Sequence, residues 1–156
     1  MGLFTIPLEA YARRMDDDRL LRWSQTALRL ALGVTFLSAV ADRFGLYGAP
    51  GATGVAWGDW PHFVAYAGIL NWFLPPSLVP FVAGVATVLE TAFGVALVAG
   101  YFTRLAALGS AALLTMFGLA MAIALDPSAP LDYSVFTAAA AALLLGVSTQ
   151  AAIQTT

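Results

Sequence analysis

"ATVLETAFGVALVAGYFTRLAALGSAALL", Ala86–Leu114, carries two charged residues, Glu90 and Arg104, in an otherwise apolar run. About 20 residues of helix cross the hydrocarbon core of a bilayer, so a run of this kind suits two helices joined by a short turn. The turn falls between Gly100 and Arg104. Helix is the conformation to expect, because an open strand cannot satisfy its backbone polar groups in lipid. Glu90 then lies near the middle of the earlier helix. An acidic side chain there costs about 2.5–3.5 kcal/mol, a cost usually met by facing the bundle interior, by pairing, or by binding something polar.

The rest of the chain follows the same pattern. Its 156 residues are 60% hydrophobic and 10% charged, with a mean hydropathy of +0.82. Soluble domains are roughly one quarter charged, so most of this surface has to meet something other than water. All seven cations are arginine, and the net charge of −2 gives no reason to invoke nucleic acid. Cysteine is absent, which removes disulfides, thiolate metal sites and thiol catalysis by this chain. The single histidine, His62, cannot form an all-histidine metal centre, and no metal site is expected.

Four segments are apolar and long enough to cross: Leu21–Ala41, Leu78–Gly100, Arg104–Leu125 and Tyr133–Gln150. The reading is an all-α, integral-membrane four-helix bundle. Residues 1–20 form a polar cytoplasmic N-terminal segment without the apolar core of a secretory signal, and residues 21–150 form the four-span transmembrane domain. Asp42–Ser77 reads as a long outer loop holding six glycines, four prolines and three of the four tryptophans. Within it, "HFVAYAGILNWFLPP" (His62–Pro76) suits a short helix in the membrane interface, anchored by Tyr66 and Trp72. Arg13, Arg14, Arg19 and Arg22 precede span one, and Arg104 sits in the turn after span two. The positive-inside rule therefore places both termini in the cytoplasm of a bacterial-type inner membrane. "RLALG" (Arg29–Gly33) and "RLAALG" (Arg104–Gly109) are a weak internal echo of the kind left by parallel repeats.

The helical stripe Ala86, Glu90, Gly94 and Val98 has small residues one turn either side of the carboxylate, so a second helix can approach there. Arg29, inside span one, is the expected partner of Glu90. The pair either fixes helix register or forms the polar wall of a quinone, substrate or proton site. Secondary candidates have plainer readings beside their functional ones. Asp42 and Arg43 suit interfacial anchoring, Arg104 a helix start, and His62 a solvated loop. Asp132 suits a cap for span four, with Tyr133 beside it at the outward-facing end. Ala138, Ala142 and Gly146 form a small-residue packing stripe. No nucleophile–base pair or phosphate-binding glycine loop is legible.

"LETAFGVALVAGYFTRLAALG", with Glu90, Gly94, Gly100, Thr103, Arg104 and Ala107, resembles the signature of the DoxX family of small four-helix membrane proteins. "ALRLALGVTFL", with Arg29 and Gly33, is similar to the family's first span, and "APLDYSVFTAAAAALLL" to the end of many members. The resemblance covers about Ala27–Leu145. It implies kinship with the large subunit of a thiosulfate:quinone oxidoreductase and with a membrane component of an oxidant-resistance complex. It marks Glu90, Arg29 and Arg104 as motif positions. "SAVADRFG" departs from the family's more usual polar end to span one at Asp42 and Arg43.

Three functions follow. The chain is a quinone-interacting subunit of a redox or oxidative-stress system, with no covalently bound cofactor and no electron carrier of its own. Alternatively it is a small proton-coupled transporter or permeation module, or a non-catalytic membrane anchor. The partners implied are the lipid bilayer, a soluble or membrane redox partner, and further copies of the chain.

Overall fold

The computed structural model describes residues 8–154, with side chains described from Met15 to Thr149. Residues 1–7 of the polar N-terminal segment lie outside the described residues, as do the side chains of Arg13 and Arg14. Among the described residues the chain is all-helical. The helices are α1 (Leu8–Arg43), α2 (Trp60–Leu70), α3 (Val79–Ala99), α4 (Thr103–Ala124), α5 (Ala129–Asp132) and α6 (Val135–Gln154). Among the described residues, three segments are long and apolar enough to cross a membrane: Met15–Arg43, Pro76–Ala99 and Thr103–Ala124. The apolar part of α6, Val135–Thr149, is shorter than these three. Large apolar side chains lie on the outside throughout, among them Phe81 (70% exposed), Val88 (67%) and Ile123 (75%). Water would penalise such a surface, and lipid chains do not.

The turn between α3 and α4 forms where the sequence indicates it. Gly100 adopts φ 80 and closes α3 with a bond from its N–H to the Ala96 carbonyl. Glycine reaches this left-handed conformation without the strain that a Cβ brings. Phe102 also has a positive φ, 50, and points outward.

The helices pair as α1 with α3, α3 with α4, and α4 with α6, and α1 closes the bundle against α6. Gln25 on α1 donates to Ser148 on α6 at 3.1 Å across that last contact. Small residues set the helix spacing. A Cβ on Gly33 of α1 would stand 2.9 Å from the Gly94 carbonyl oxygen of α3, and one on Gly94 would stand 2.9 Å from Leu37 Cγ. On α6 the expected small-residue stripe does pack inward: Ala142 is fully buried, and Gly146 seats Leu108 of α4.

The connection between the first two spans holds a short helix, as its sequence suggests, at Trp60–Leu70 rather than wholly within His62–Pro76. Asp42 and Arg43 are the last residues of α1, and α2 occupies Trp60–Leu70. α2 packs Phe63 and Ala67 onto Val79 and Ala83 of α3, with Trp57, Trp60 and Val64 around them. Its start is defined by Asp59, whose side chain accepts from the His62 backbone N–H at 2.9 Å, and by Pro61 in the first turn. The same backbone bond, helped by the His62 ring, holds the Asp59 carboxyl below its ordinary value of 3.8. The cap's contribution is therefore complete above about that pH and lost as acidification passes the lowered folded value. Asp59→Ala is expected to raise amide exchange at the start of α2 at neutral pH while leaving α3 and α4 protected. Equal exchange in both proteins would refute this role for Asp59.

Candidate functional site

The sequence places a carboxylate in a buried helix face, and the structure shows what meets it. The inward face of α3 is Val79, Ala83, Thr87, Glu90, Gly94 and Leu97, spaced three or four residues apart. The expected stripe through Ala86 and Val98 is thus its flank, with Val98 36% exposed.

Glu90 Oε2 lies 2.5 Å from Nη2 of Arg43, and both side chains are 3% exposed. Arg43 Nη1 donates to Thr87 Oγ1 at 2.8 Å, and that hydroxyl donates onward to the Ala83 carbonyl at 2.9 Å. The guanidinium lies under aromatic cover. Its Cζ is 3.8 Å from the centre of the Phe63 ring and 5.2 Å from that of Trp57. This is cation–π geometry in a water-poor setting. The Trp57 backbone N–H donates to Asp42 Oδ2 at 2.8 Å, tying the incoming turn to the end of α1. Asp42 is itself only 4% exposed. Three polar atoms of this cluster, Asp42 Oδ1, Arg43 Nε and Glu90 Oε2, are buried without a hydrogen-bond partner among the described residues, the last held by its ion pair with Arg43.

The expected Glu90–Arg29 pair does not form. α1 runs antiparallel to α3, and its outer end at Arg43 is level with Thr87 and Glu90, not with the start of α3. Arg29 lies 14 residues earlier on α1, about 21 Å along the axis. There its guanidinium rests against Gly100, where a Cβ would strike it, and its Nε has no partner among the described residues. A cation at the C-terminal end of α3 is favourably placed against the helix dipole. Asp42 and Arg43 were expected at the interface; instead both are buried, because α2 and its aromatic residues cover the end of α1.

The remaining sequence candidates do not join the cluster. Arg104 is exposed at the start of α4. His62 is exposed on α2 and its Nδ1 lies 2.7 Å from Asp59 Oδ1. Asp132 and Tyr133 are exposed, with Asp132 inside α5 and α6 starting at Val135. Tyr66 of α2 is half-buried near Trp57, with ring centres 6.0 Å apart. Burial, with Tyr133 adding to it, raises the Tyr66 hydroxyl above its ordinary value.

Sequence reading missed Thr87, Trp57 and Phe63. Thr87 carries a signal in retrospect, since it precedes Glu90 by one helical turn on the same face. The two aromatic residues carry none, because a fold-back across the connection brings them to Arg43. An open apolar hollow of about 460 Å³ lies on the outer side of α3, lined by Pro80, Phe81, Gly84, Val85, Val88 and Leu89. Chemically, the cluster offers guanidinium donors, a carboxylate and unused polar atoms in a place that holds little water.

In comparisons with known proteins, the DoxX family model matches residues 24–125, from the middle of α1 to the end of α4. No curated protein and no solved structure matches the chain.

Proposed function

This chain belongs to the DoxX family, and on that premise we propose that it is a multi-pass membrane subunit whose Arg43–Glu90 pair serves the head group of a quinone in a redox or oxidative-stress system. One observation carries the reading. A buried guanidinium–carboxylate pair lies beneath aromatic rings and beside polar atoms that the protein leaves unpartnered. A quinone carbonyl accepts hydrogen bonds from a guanidinium, and its reduction consumes protons that a carboxylate can pass on. The apolar hollow on α3 suits an isoprenoid or acyl tail approaching from the bilayer. Electrons come from a partner or from the substrate, since the chain has no thiol and no metal-ligating cluster among its described residues. In this reading α6 is the fourth crossing, and the arginine-rich end of α1 lies in the cytoplasm.

A second reading has its own support. The pair is closed, with 3% exposure on either side chain. A closed pair suits a latch that fixes the register of α1 on α3, in a protein that only anchors a partner.

The experiment is binding of a short-chain ubiquinone to purified protein in nanodiscs, for wild type, Arg43→Gln and Glu90→Gln. Saturable binding by wild type is expected, weakened by roughly 10- to 100-fold in each variant, the range for losing a charged hydrogen bond of about 1.5–3 kcal/mol. Thermal unfolding checks that the variants are folded. Failure of folded wild type to bind would remove the quinone reading and leave the latch.

A further inference from the structure

We propose that Asp42, Arg43 and Glu90 together form a proton-binding site that holds one exchangeable proton. The reason is the charge balance of the buried cluster. It contains two carboxylates and one guanidinium, and the three residues are 4%, 3% and 2% exposed. With all three ionised, the cluster would carry an uncompensated negative charge away from water, which is among the costliest arrangements a protein can adopt.

Among the described residues, no second cation faces the cluster. On the α2 side, Asp59 and His62 are exposed and engage each other, and Tyr66 is the other titratable group. α3 contributes Glu90 alone. The single charge of α4, Arg104, is at the opposite end of that helix. Asp132 of α5 is exposed, and α6 has no charged residue. Arg29 is about 21 Å from Arg43 along α1.

Within the cluster, the two Nη atoms of the guanidinium are committed to Glu90 and Thr87. Asp42 receives one hydrogen bond, on Oδ2 from the Trp57 N–H, and its Oδ1 is buried without a donor. That unpartnered oxygen leaves the surplus charge of the cluster without a compensating donor. A metal cation would need several oxygen ligands around it. The cluster offers one carboxylate oxygen with neither a donor nor an ion pair, so a proton is the cation that fits.

This inference rests on the same cluster as the quinone reading and would supply that reaction with a proton. Its test contains no quinone, so the two fail separately. Infrared spectra of the protein in nanodiscs at neutral pH would be compared in H2O and D2O. Wild type is expected to show the C=O band of a protonated carboxyl group, shifted in D2O. Asp42→Asn and Glu90→Gln are each expected to lose the band, because each leaves one carboxylate facing one guanidinium. Absence of the band from wild type overturns the proposal, and so does its survival in either folded variant. Survival would mean that burial of one carboxyl alone, not the charge balance of three groups, holds the proton. If one variant does not fold, the other still distinguishes charge balance from burial of a single carboxyl, and absence of the band from wild type overturns the proposal without either.

Discussion

Arg43→Met is expected to destabilise the protein by about 3–5 kcal/mol, with Glu90→Leu costing less because Asp42 still balances the guanidinium, and the double variant recovering most of the loss. Removing one member of a buried ion pair leaves the other charge without compensation, and that residual charge accounts for most of the damage. Replacing both members by apolar groups of similar size removes both charges of the pair and leaves Asp42 with the Trp57 N–H and the exchangeable proton. Such replacements are often neutral or stabilising. Arg43 also gives up its bond to Thr87 and its contact with Phe63, so full recovery is not expected in the double variant. Reversible unfolding in mixed detergent micelles measures all four proteins of the cycle. A coupling energy near zero would show that Arg43 and Glu90 act independently, contrary to their 2.5 Å contact. The cycle also bears on function. A double variant that is stable but fails to bind quinone would separate the pair's chemistry from its role in folding.

The second large effect is expected at the crossing of α1 and α3. Gly33→Ala places a methyl group 2.9 Å from the Gly94 carbonyl oxygen and 2.8 Å from Val98 Cγ2. The carbonyl is backbone and cannot turn aside, so the helices must separate. Overpacking of this kind costs about 1–3 kcal/mol, and Gly33→Val is expected to cost more. Separating α1 from α3 also pulls Arg43 from Glu90, so unfolding stability and quinone binding should fall together. Gly84→Ala is the contrast. A Cβ there meets nothing within 4 Å, and its effect should stay within about 0.5 kcal/mol. Gly109 is an intermediate case, because its close neighbours are ring atoms of Phe93, a side chain with more freedom to adjust. Equal tolerance of alanine at Gly33 and Gly84 would refute the close crossing.

Much of the architecture is legible from residues alone. Long apolar runs with few charges specify membrane helices, and their lengths follow from bilayer thickness. Gly100 and the charged start of α4 mark the tight turn, and the small residues of α6 mark a packing face. Glu90 is legible for a similar reason: a carboxylate within an apolar helix has to turn inward. These are local properties, encoded in composition, periodicity and single residues.

Pairing between distant segments is not local. Aligning the first two spans end to end puts Arg29 within reach of Glu90 and Arg43 at the interface. The structure offsets them, because the close fit at Gly33 and Gly94 sets the axial position of α1 along α3. The aromatic connection then folds back as α2 and covers the end of α1. Arg43 and Asp42, which look like surface anchors in the sequence, become the buried core of the site. The sequence by itself determined a membrane-helical protein with an acidic residue that had to face inward. The tertiary structure alone decided which cation meets it, since Arg29 lies against Gly100 instead of Glu90, an axial offset of about ten residues or about 15 Å.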